Sequence, residues 1–196
     1  MIQIEFHDNH AGTAEALRAA FADLASVTVV HGDILRGRAD AIVSPANSFG
    51  NMDGGVDLAY ARFFPAGLEE RLQAVIEDQY DGELPVGQAT IVPTLHEAIP
   101  LMISAPTMRM PGNIARTVNV YVAFRAALLA LERHRREAGL DVVTMLSPAM
   151  GTGVGAMPVE RAARQMRTAY DNVVGPRASR RRNFGMLWGE HLRLLE

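Results

Sequence analysis

Short apolar runs alternate along this chain with longer segments of helical periodicity, and this alternation constrains the fold more than any other feature of its 196 residues. The predicted strands are short and rich in apolar or β-branched side chains, and they cover residues 2–6, 27–30, 41–44, 89–94, 101–105 and 141–146. Helices are predicted for residues 13–24, with Thr13 as the N-cap, for residues 58–64, 68–76 and 117–138, and for the segment after Pro158. Strands that alternate with helices usually form a parallel sheet with helices on both faces. The sequence therefore predicts a single α/β domain, a three-layer α/β/α sandwich with a mixed, mostly parallel sheet.

The composition excludes several kinds of chemistry. The chain has no cysteine, which excludes disulfides, thiolate catalysis and cysteine-ligated zinc. All 19 residues counted as Lys or Arg are Arg, so a P-loop lysine, a Schiff base and a lysine nucleophile are excluded too. The formal net charge of −3 does not indicate general nucleic-acid binding. No signal peptide or membrane span is visible, so we expect a cytoplasmic protein that does not contact membranes.

Residues 44–57 join a predicted strand to a predicted helix. Loops at the carboxyl ends of strands are where open α/β sheets bind ligands. Gly54 and Gly55 stand just before the helix, where a backbone without Cβ lets a ligand come close and where free amides attract anions. Asn47 and Asp57 add an amide and a carboxylate. The same residue types build ordinary turns, but the length of the loop and a second glycine-rich loop favour a binding site.

That second loop, Gly-Thr-Gly-Val-Gly at residues 151–155, also follows a predicted strand and precedes a predicted helix. Its amides can hold phosphate oxygens through their dipoles without any lysine. The loop also satisfies the loose dinucleotide-binding pattern G-x-G-x-x-A. In that pattern an acidic residue that binds ribose follows the next strand, whereas the nearest candidate here, Asp171, lies in the predicted helix. A nicotinamide-dependent dehydrogenase is therefore the weaker interpretation.

With both loops considered, the chain resembles the macrodomain family, in particular its bacterial and phage members, which bind ADP-ribose. The resemblance covers about residues 27–174, the expected core of one domain spanning residues 1–196, with residues 175–196 as a C-terminal tail. It rests on segments that follow the family's order, namely Gly-Asp-Ile at 32–34, Asp-Ala-Ile-Val at 40–43, Ala-Asn at 46–47, Gly-Gly-Val-Asp at 54–57 and Thr-Gly-Val at 152–154.

The resemblance implies a role for each matching residue and requires neither a metal nor a cofactor. Asp33 would accept a hydrogen bond from the adenine amino group, with the Ile34 amide beside it. Asn47 would hold the distal ribose, and Asp57 would position or activate a water molecule. A neighbouring pyrophosphate would raise the pKa of that carboxyl by like-charge repulsion, which favours a role as base. The other residues expected to contact ligand are Ala46, Phe49, Gly54, Gly55, Val56, Gly151, Thr152, Gly153, Val154 and Gly155.

The chain departs from the family pattern at three places. The usual Asn-Ala-Ala-Asn is Ser-Pro-Ala-Asn at residues 44–47, and Met52-Asp53 precede a shortened glycine run. Gly155 and Met157 stand where aromatic residues are common near the distal ribose, and Phe49 is expected to fill that space from the opposite wall. The sequence leaves open whether Asp53 or Asp57 faces the ligand.

These departures keep three hypotheses open. The first is an enzyme that hydrolyses an ADP-ribose linkage, with ADP-ribose or an ADP-ribosylated protein as its partner. The second is a module that binds ADP-ribose or a related nucleotide without cleaving it. The third, ranked lower, is a role in assembly through the arginine-rich tail at residues 180–182.

Two further groups are predicted to be peripheral. His7 and His10 form the only close pair among the six histidines, and we expect both to be solvated in a loop rather than bound to metal. Arg109, in the loop after the strand at 101–105, would lie either near a phosphate or on the surface in solvent.

Overall fold

A computed structural model describes residues 1–175 and 183–196 of the chain. The strands are β1 (Ile2–Asp8), β2 (Val27–His31), β3 (Ala41–Ser44), β4 (Thr90–Pro93), β5 (Leu101–Ser104) and β6 (Val143–Ser147). The helices are α1 (Ala11–Phe21), α2 (Gly55–Phe63), α3 (Leu68–Tyr80), α4 (Asn119–Glu137), α5 (Val159–Val173) and α6 (Phe184–Leu195), and a short 3-10 turn covers Ile34–Arg36.

The six strands form one sheet in the order β2-β1-β6-β3-β5-β4. Every neighbouring pair is parallel except β4 and β5, which are antiparallel. The predicted mixed, mostly parallel sheet is therefore confirmed. Because the five parallel strands all end at the same edge, the loops that follow β1, β2, β3, β5 and β6 meet there.

Helices cover both faces of the sheet, as predicted. On one face α1, α4 and α5 bury a core that includes Phe6, Phe124 and Met166. On the other face α2 and α3 bury a second core against β3, β5 and β6, with Tyr60 and Leu72 at its centre. Burial of these apolar side chains, at roughly 25 cal/mol per Å², holds α2 and its preceding loop against the sheet.

Several predicted boundaries need correction. Thr13 does not cap α1 but is buried inside it, because the helix begins at Ala11 after His10. His7 does not lie in a solvated loop, because β1 continues through Asp8 and buries its side chain. The predicted strand at 141–146 is shifted to Val143–Ser147.

The last described helix, α6, packs on α5. Gln165 Nε2 donates hydrogen bonds to the Leu194 carbonyl at 2.8 Å and, on the other side, to the Thr117 carbonyl at 2.8 Å. Trp188 lies on α6 and is 55% exposed.

The arginine run at 180–182 lies outside the described residues. Across the ranges 1–175 and 183–196, we find no helix with the length and apolar character that a membrane span requires.

Candidate functional site

A cavity of about 550 Å³ opens at the edge where the parallel strands end. The ends of β1, β2, β3 and β6 and the loop after β5 form its walls. This is where a parallel α/β sheet is expected to place a ligand. Of the predicted site residues, the cleft is lined by Asp33, Ile34, Ala46, Asn47, Gly54, Gly55, Val56, Asp57, Gly151, Thr152, Gly153, Val154 and Gly155.

The first loop is held in place because the pairing of β3 with β5 continues past both strands. The Ala105 amide donates to the Ser44 carbonyl at 3.0 Å, and the Thr107 amide donates to the Ala46 carbonyl at 3.1 Å. The Thr107 hydroxyl adds a bond to the Pro45 carbonyl at 3.1 Å. Residues 44–46 are therefore fixed as an extension of the sheet.

Asn47 lines the cleft, and its side chain also organises the loop. Its Oδ1 accepts from the Phe49 amide at 3.0 Å and from the Asn51 amide at 3.3 Å. Its Nδ2 donates to the Asn51 carbonyl at 2.8 Å. An amide nitrogen carries two protons, so one donor position on Nδ2 is left for a ligand.

Asp57 sits in the first turn of α2, with 8% of its surface exposed. Ser44 Oγ donates a 2.6 Å hydrogen bond to Asp57 Oδ1. Burial raises the pKa of Asp57 to about 6, against the opposing effect of the Ser44 hydrogen bond. One turn later Tyr60 is fully buried and donates to the Val43 carbonyl at 3.1 Å. Burial, followed by the charges of Asp57 and Asp33, raises the pKa of Tyr60.

Asp53 and Asp57, the two carboxylates between which the sequence does not choose, both line the cleft. They differ in environment, because Asp53 is exposed whereas Asp57 is buried. Burial raises the pKa of Asp57 to about 6, which is in the range useful to a general base near neutral pH.

The start of α2 is an open anion-binding end. Gly54 caps the helix without any side-chain hydrogen bond to the first turn. Gly55 has φ +57°, a left-handed conformation that favours glycine. A Cβ built on either residue would meet nothing within 4 Å. The first-turn amides can therefore reach a ligand directly.

The loop after β6 offers a second set of amides. Gly151 has φ +75°, and a Cβ at Gly155 would lie 2.5 Å from the Gly151 carbonyl oxygen, so the loop folds tightly over itself. The Met157 amide closes it by donating to the same carbonyl at 3.0 Å. Among the hydrogen bonds of the described residues, none uses the amides of residues 152–155 as donors. Those amides lie in the wall of the cleft, where they can bind phosphate oxygens.

Asp33 marks the far end of the cleft, at the end of β2. One of its oxygens, Oδ1, accepts from the Leu35 amide at 3.0 Å and caps the short 3-10 turn. The side chain is otherwise exposed to the cleft. Its second oxygen can therefore accept from a ligand amine.

Phe49 is the one predicted ligand contact that does not line the cleft. Its ring instead packs under Arg109, whose guanidinium carbon lies 5.1 Å from the ring centroid. Arg109 also forms a two-pronged ion pair with Glu83, at 2.8 and 2.9 Å. Of the two places expected for Arg109, the structure favours the surface, since its side chain is 64% exposed and it does not line the cleft.

The sequence reasoning missed the contribution of β1. His7, Asp8, Asn9 and His10 all line the cleft. His7 is buried and its Nε2 bonds Glu5 Oε1 at 2.5 Å. The sequence did offer one signal for these residues, because the loop after any parallel strand lies at the same edge of the sheet. The position of β1 between β2 and β6, however, depends on contacts between residues that are distant in sequence. Within the part of the chain that is described, no three His, Asp or Glu side chains are grouped closely enough to hold a metal ion.

The fold and the cleft define a three-layer α/β protein with a ligand site at the carboxyl edge of its sheet. A model of the Macro domain family matches residues 43–166. An uncharacterized protein of Aeropyrum pernix is 38% identical over 149 residues, which are 76% of this chain and 72% of that protein. The chain belongs to the Macro domain family, as the sequence resemblance predicted.

Solved structures agree with the assignment of the fold. The macrodomain of DarG from Mycobacterium tuberculosis is 25% identical, with a TM-score of 0.55, over 72% of this chain and 88% of that one. A variant of the Oceanobacillus iheyensis macrodomain, determined with ADPR (ADP-ribose), has a TM-score of 0.61 at 21% identity, over 74% of this chain and 76% of that one.

Proposed function

We propose that this protein binds ADP-ribose in the cleft and hydrolyses the bond that joins ADP-ribose to an acidic side chain of a modified protein. The observation that carries the proposal is a buried carboxyl, Asp57, whose pKa is raised to about 6 and which shares one cleft with two sets of open amides. Amides at a helix start and in a glycine loop suit a diphosphate. The ADPR in the Oceanobacillus macrodomain variant supports the choice of ligand.

The ligand would extend along the edge of the sheet. Adenine would lie at Asp33, which accepts from the exocyclic amine, and the diphosphate would lie between residues 152–155 and the start of α2. The distal ribose would then reach Asn47, whose second Nδ2 proton is available, and Asp57. This order follows the order in which β2, β6 and β3 deliver their loops to the cleft.

Hydrolysis would require one activated water molecule. The water oxygen attacks the anomeric carbon of the distal ribose, and the bond from that carbon to the carboxylate oxygen of the modified side chain breaks. Asp57 accepts the proton that the water loses. The leaving group is a carboxylate, which needs no proton near neutral pH. With a pKa of about 6, Asp57 is mostly ionised above pH 7 and can act as this base.

Binding is tested by calorimetric titration of the protein with ADP-ribose and, for comparison, AMP. We expect a dissociation constant on the order of 1 μM for ADP-ribose, weakened at least tenfold by Asp33→Ala. Weaker binding of AMP would reflect the lost second phosphate and distal ribose. Absence of any heat with ADP-ribose at millimolar concentration would contradict the assignment of the ligand.

Turnover is tested separately, by release of ADP-ribose from a protein modified on glutamate or aspartate. Asp57→Asn should abolish release while binding of ADP-ribose is kept within a few-fold. Asp53→Asn is the matched control, because the same change is made to an exposed carboxyl of the same loop. Equal turnover by Asp57→Asn and wild type would remove Asp57 from the mechanism.

The alternative function is a module that binds ADP-ribose without cleaving it. It is favoured by the bonding of Asn47, whose Oδ1 and one Nδ2 proton are engaged in its own loop. Tight binding together with no release of ADP-ribose from any modified carboxylate would establish this alternative.

A further inference from the structure

The hydrogen bond from Ser44 to Asp57 joins two elements that the chain brings together from either side of the first loop. Ser44 is the last residue of β3, it is fully buried, and its Oγ lies 2.6 Å from Asp57 Oδ1. We propose that Ser44 is a positioning residue, which holds Oδ1 of Asp57 so that Oδ2 is aimed at the reacting water. This inference deepens the proposed function and rests on it.

The position of Ser44 is fixed by the sheet. Its strand pairs in register with β5, where Ser44 stands beside Ser104, and its carbonyl accepts from the Ala105 amide at 3.0 Å. The side chain points to the face of the sheet covered by α2, as Ile42 does two residues earlier. The hydroxyl therefore reaches Asp57 from a rigid strand rather than from a mobile loop.

The carboxylate is held on one side only. Oδ1 accepts from Ser44, and no hydrogen bond to Oδ2 is formed by the described residues. Oδ2 is not fully buried, in contrast to the buried polar atoms that lack a partner. Because Asp57 lines the cleft, this accessible oxygen faces the cleft. A hydroxyl donor on one oxygen directs the other toward a ligand or water, in the way that outer groups orient a catalytic side chain.

The same contact acts on the charge of Asp57. Burial favours the neutral acid, whereas a hydrogen bond donated to the carboxylate favours the ionised form. The other titratable residues that line the cleft are His7, Asp8, His10, Asp33 and Asp53. None of them forms an ion pair with Asp57 in the described part of the chain, where His7 is paired with Glu5. Tyr60, on the same helix, is an acid that donates to the Val43 carbonyl. Ser44 is thus the side chain that opposes protonation, and it keeps its own proton throughout the reaction.

The experiment compares Ser44→Ala with Ser104→Ala. Both serines are fully buried neighbours on the same face of the sheet, but only Ser44 contacts Asp57. Carbon-13 NMR of labelled aspartate carboxyls, with the Asp57 signal assigned by Asp57→Asn, gives the titration of Asp57 without any need for turnover. The dependence of turnover on pH is measured in parallel.

In Ser44→Ala we expect the Asp57 titration to move up by about one pH unit. The acid limb of the pH–rate profile should move by the same amount. Ser104→Ala should leave both unchanged. An unchanged titration in Ser44→Ala would overturn the proposal. Ser44→Cys, which keeps the shape of the side chain with a slightly larger and weakly donating group, should give a shift of the same sign and provides the test if the alanine variant does not fold.

The two proposals fail in different ways. If Asp57 titrates higher in Ser44→Ala while the wild type releases no ADP-ribose, the hydrolase assignment is refuted and the effect of Ser44 on the carboxyl stands. If the wild type turns over and Ser44→Ala changes only its stability, with the same titration and the same pH–rate profile, Ser44 has a structural role alone and the inference is refuted.

Discussion

The side chain of Asn47 and the backbone of Asn51 form two hydrogen bonds, one donated by each residue. Asn47 Nδ2 donates to the Asn51 carbonyl at 2.8 Å, and Asn47 Oδ1 accepts from the Asn51 amide at 3.3 Å. A third bond, from the Phe49 amide to Oδ1 at 3.0 Å, completes the closure. The residue proposed to contact the distal ribose therefore also shapes the loop that surrounds the ligand.

Replacement of Asn47 by Ala should reduce stability as well as ligand binding. The substitution leaves two backbone amides and one carbonyl without their partner, so we expect the free energy of unfolding to fall by about 1–3 kcal/mol. Urea denaturation measures this change. Asn51→Ala is the control, because it keeps the backbone groups that Asn47 binds. A fully stable Asn47→Ala protein would show that the loop does not depend on these bonds.

Asp57→Asn should stabilise the protein near neutral pH and lose that effect in acid. The pKa of Asp57 is raised from 3.8 to about 6 in the folded state, so above pH 6 the folded protein carries a buried charge that the unfolded chain accommodates more easily. At 1.36 kcal/mol per pH unit this costs up to about 3 kcal/mol. As the pH falls below 6 the folded state takes up its proton first, and the cost disappears near pH 4.

The measurement is urea denaturation of Asp57→Asn and wild type at about pH 7.5 and about pH 4. The variant should be the more stable protein only at the higher pH. Asp53→Asn, which changes an exposed carboxyl in the same loop, should show little difference at either pH. If Asp57→Asn were less stable than the wild type at both pH values, the contacts of the carboxylate would contribute more to stability than its buried charge costs.

Gly155→Ala should be much more disruptive than Gly153→Ala. A Cβ at Gly155 would stand 2.5 Å from the Gly151 carbonyl oxygen and 2.8 Å from Ile114, whereas a Cβ at Gly153 meets nothing within 4 Å. Forcing the loop open should cost about 1–3 kcal/mol. Thermal unfolding of both variants tests this difference, and similar melting temperatures would contradict the tight closure of the loop.

Arg109→Ala should leave the affinity for ADP-ribose within about twofold of the wild type. Its guanidinium is paired with Glu83 and packed on Phe49, outside the cleft wall. Since the pair is largely exposed, its loss should change the free energy of unfolding very little. Calorimetry could instead show a tenfold loss of affinity in the variant, with a smaller difference from the wild type at high salt. That result would place Arg109 next to the ligand phosphates.

Local patterns predicted much of the architecture. Strand and helix periods are set by neighbours in sequence, and the two glycine loops carry their own turn chemistry, so the α/β class could be predicted. Of the fourteen site residues predicted from these patterns and from the family resemblance, all but Phe49 line the cleft. Helix and strand ends were less predictable. Thr13 has the chemistry of a cap, but burial against the sheet places it inside α1.

Contacts between distant residues required the tertiary structure. Phe49 reads as a ligand contact from its loop, yet its ring packs against Arg109 from the loop after β5. His7 and Asp8 reach the cleft because β1 lies between β2 and β6, and no local pattern encodes that order of strands.

The sequence by itself determined the α/β class with a mostly parallel sheet, the resemblance to the Macro domain family and the two glycine-rich loops. Only the tertiary structure decided which polar groups meet, above all that Ser44 at the end of β3 binds Asp57 at the start of α2. The physical reason is that loop and strand conformations depend on nearby residues, whereas the burial and pairing of a carboxyl depend on which elements pack over it.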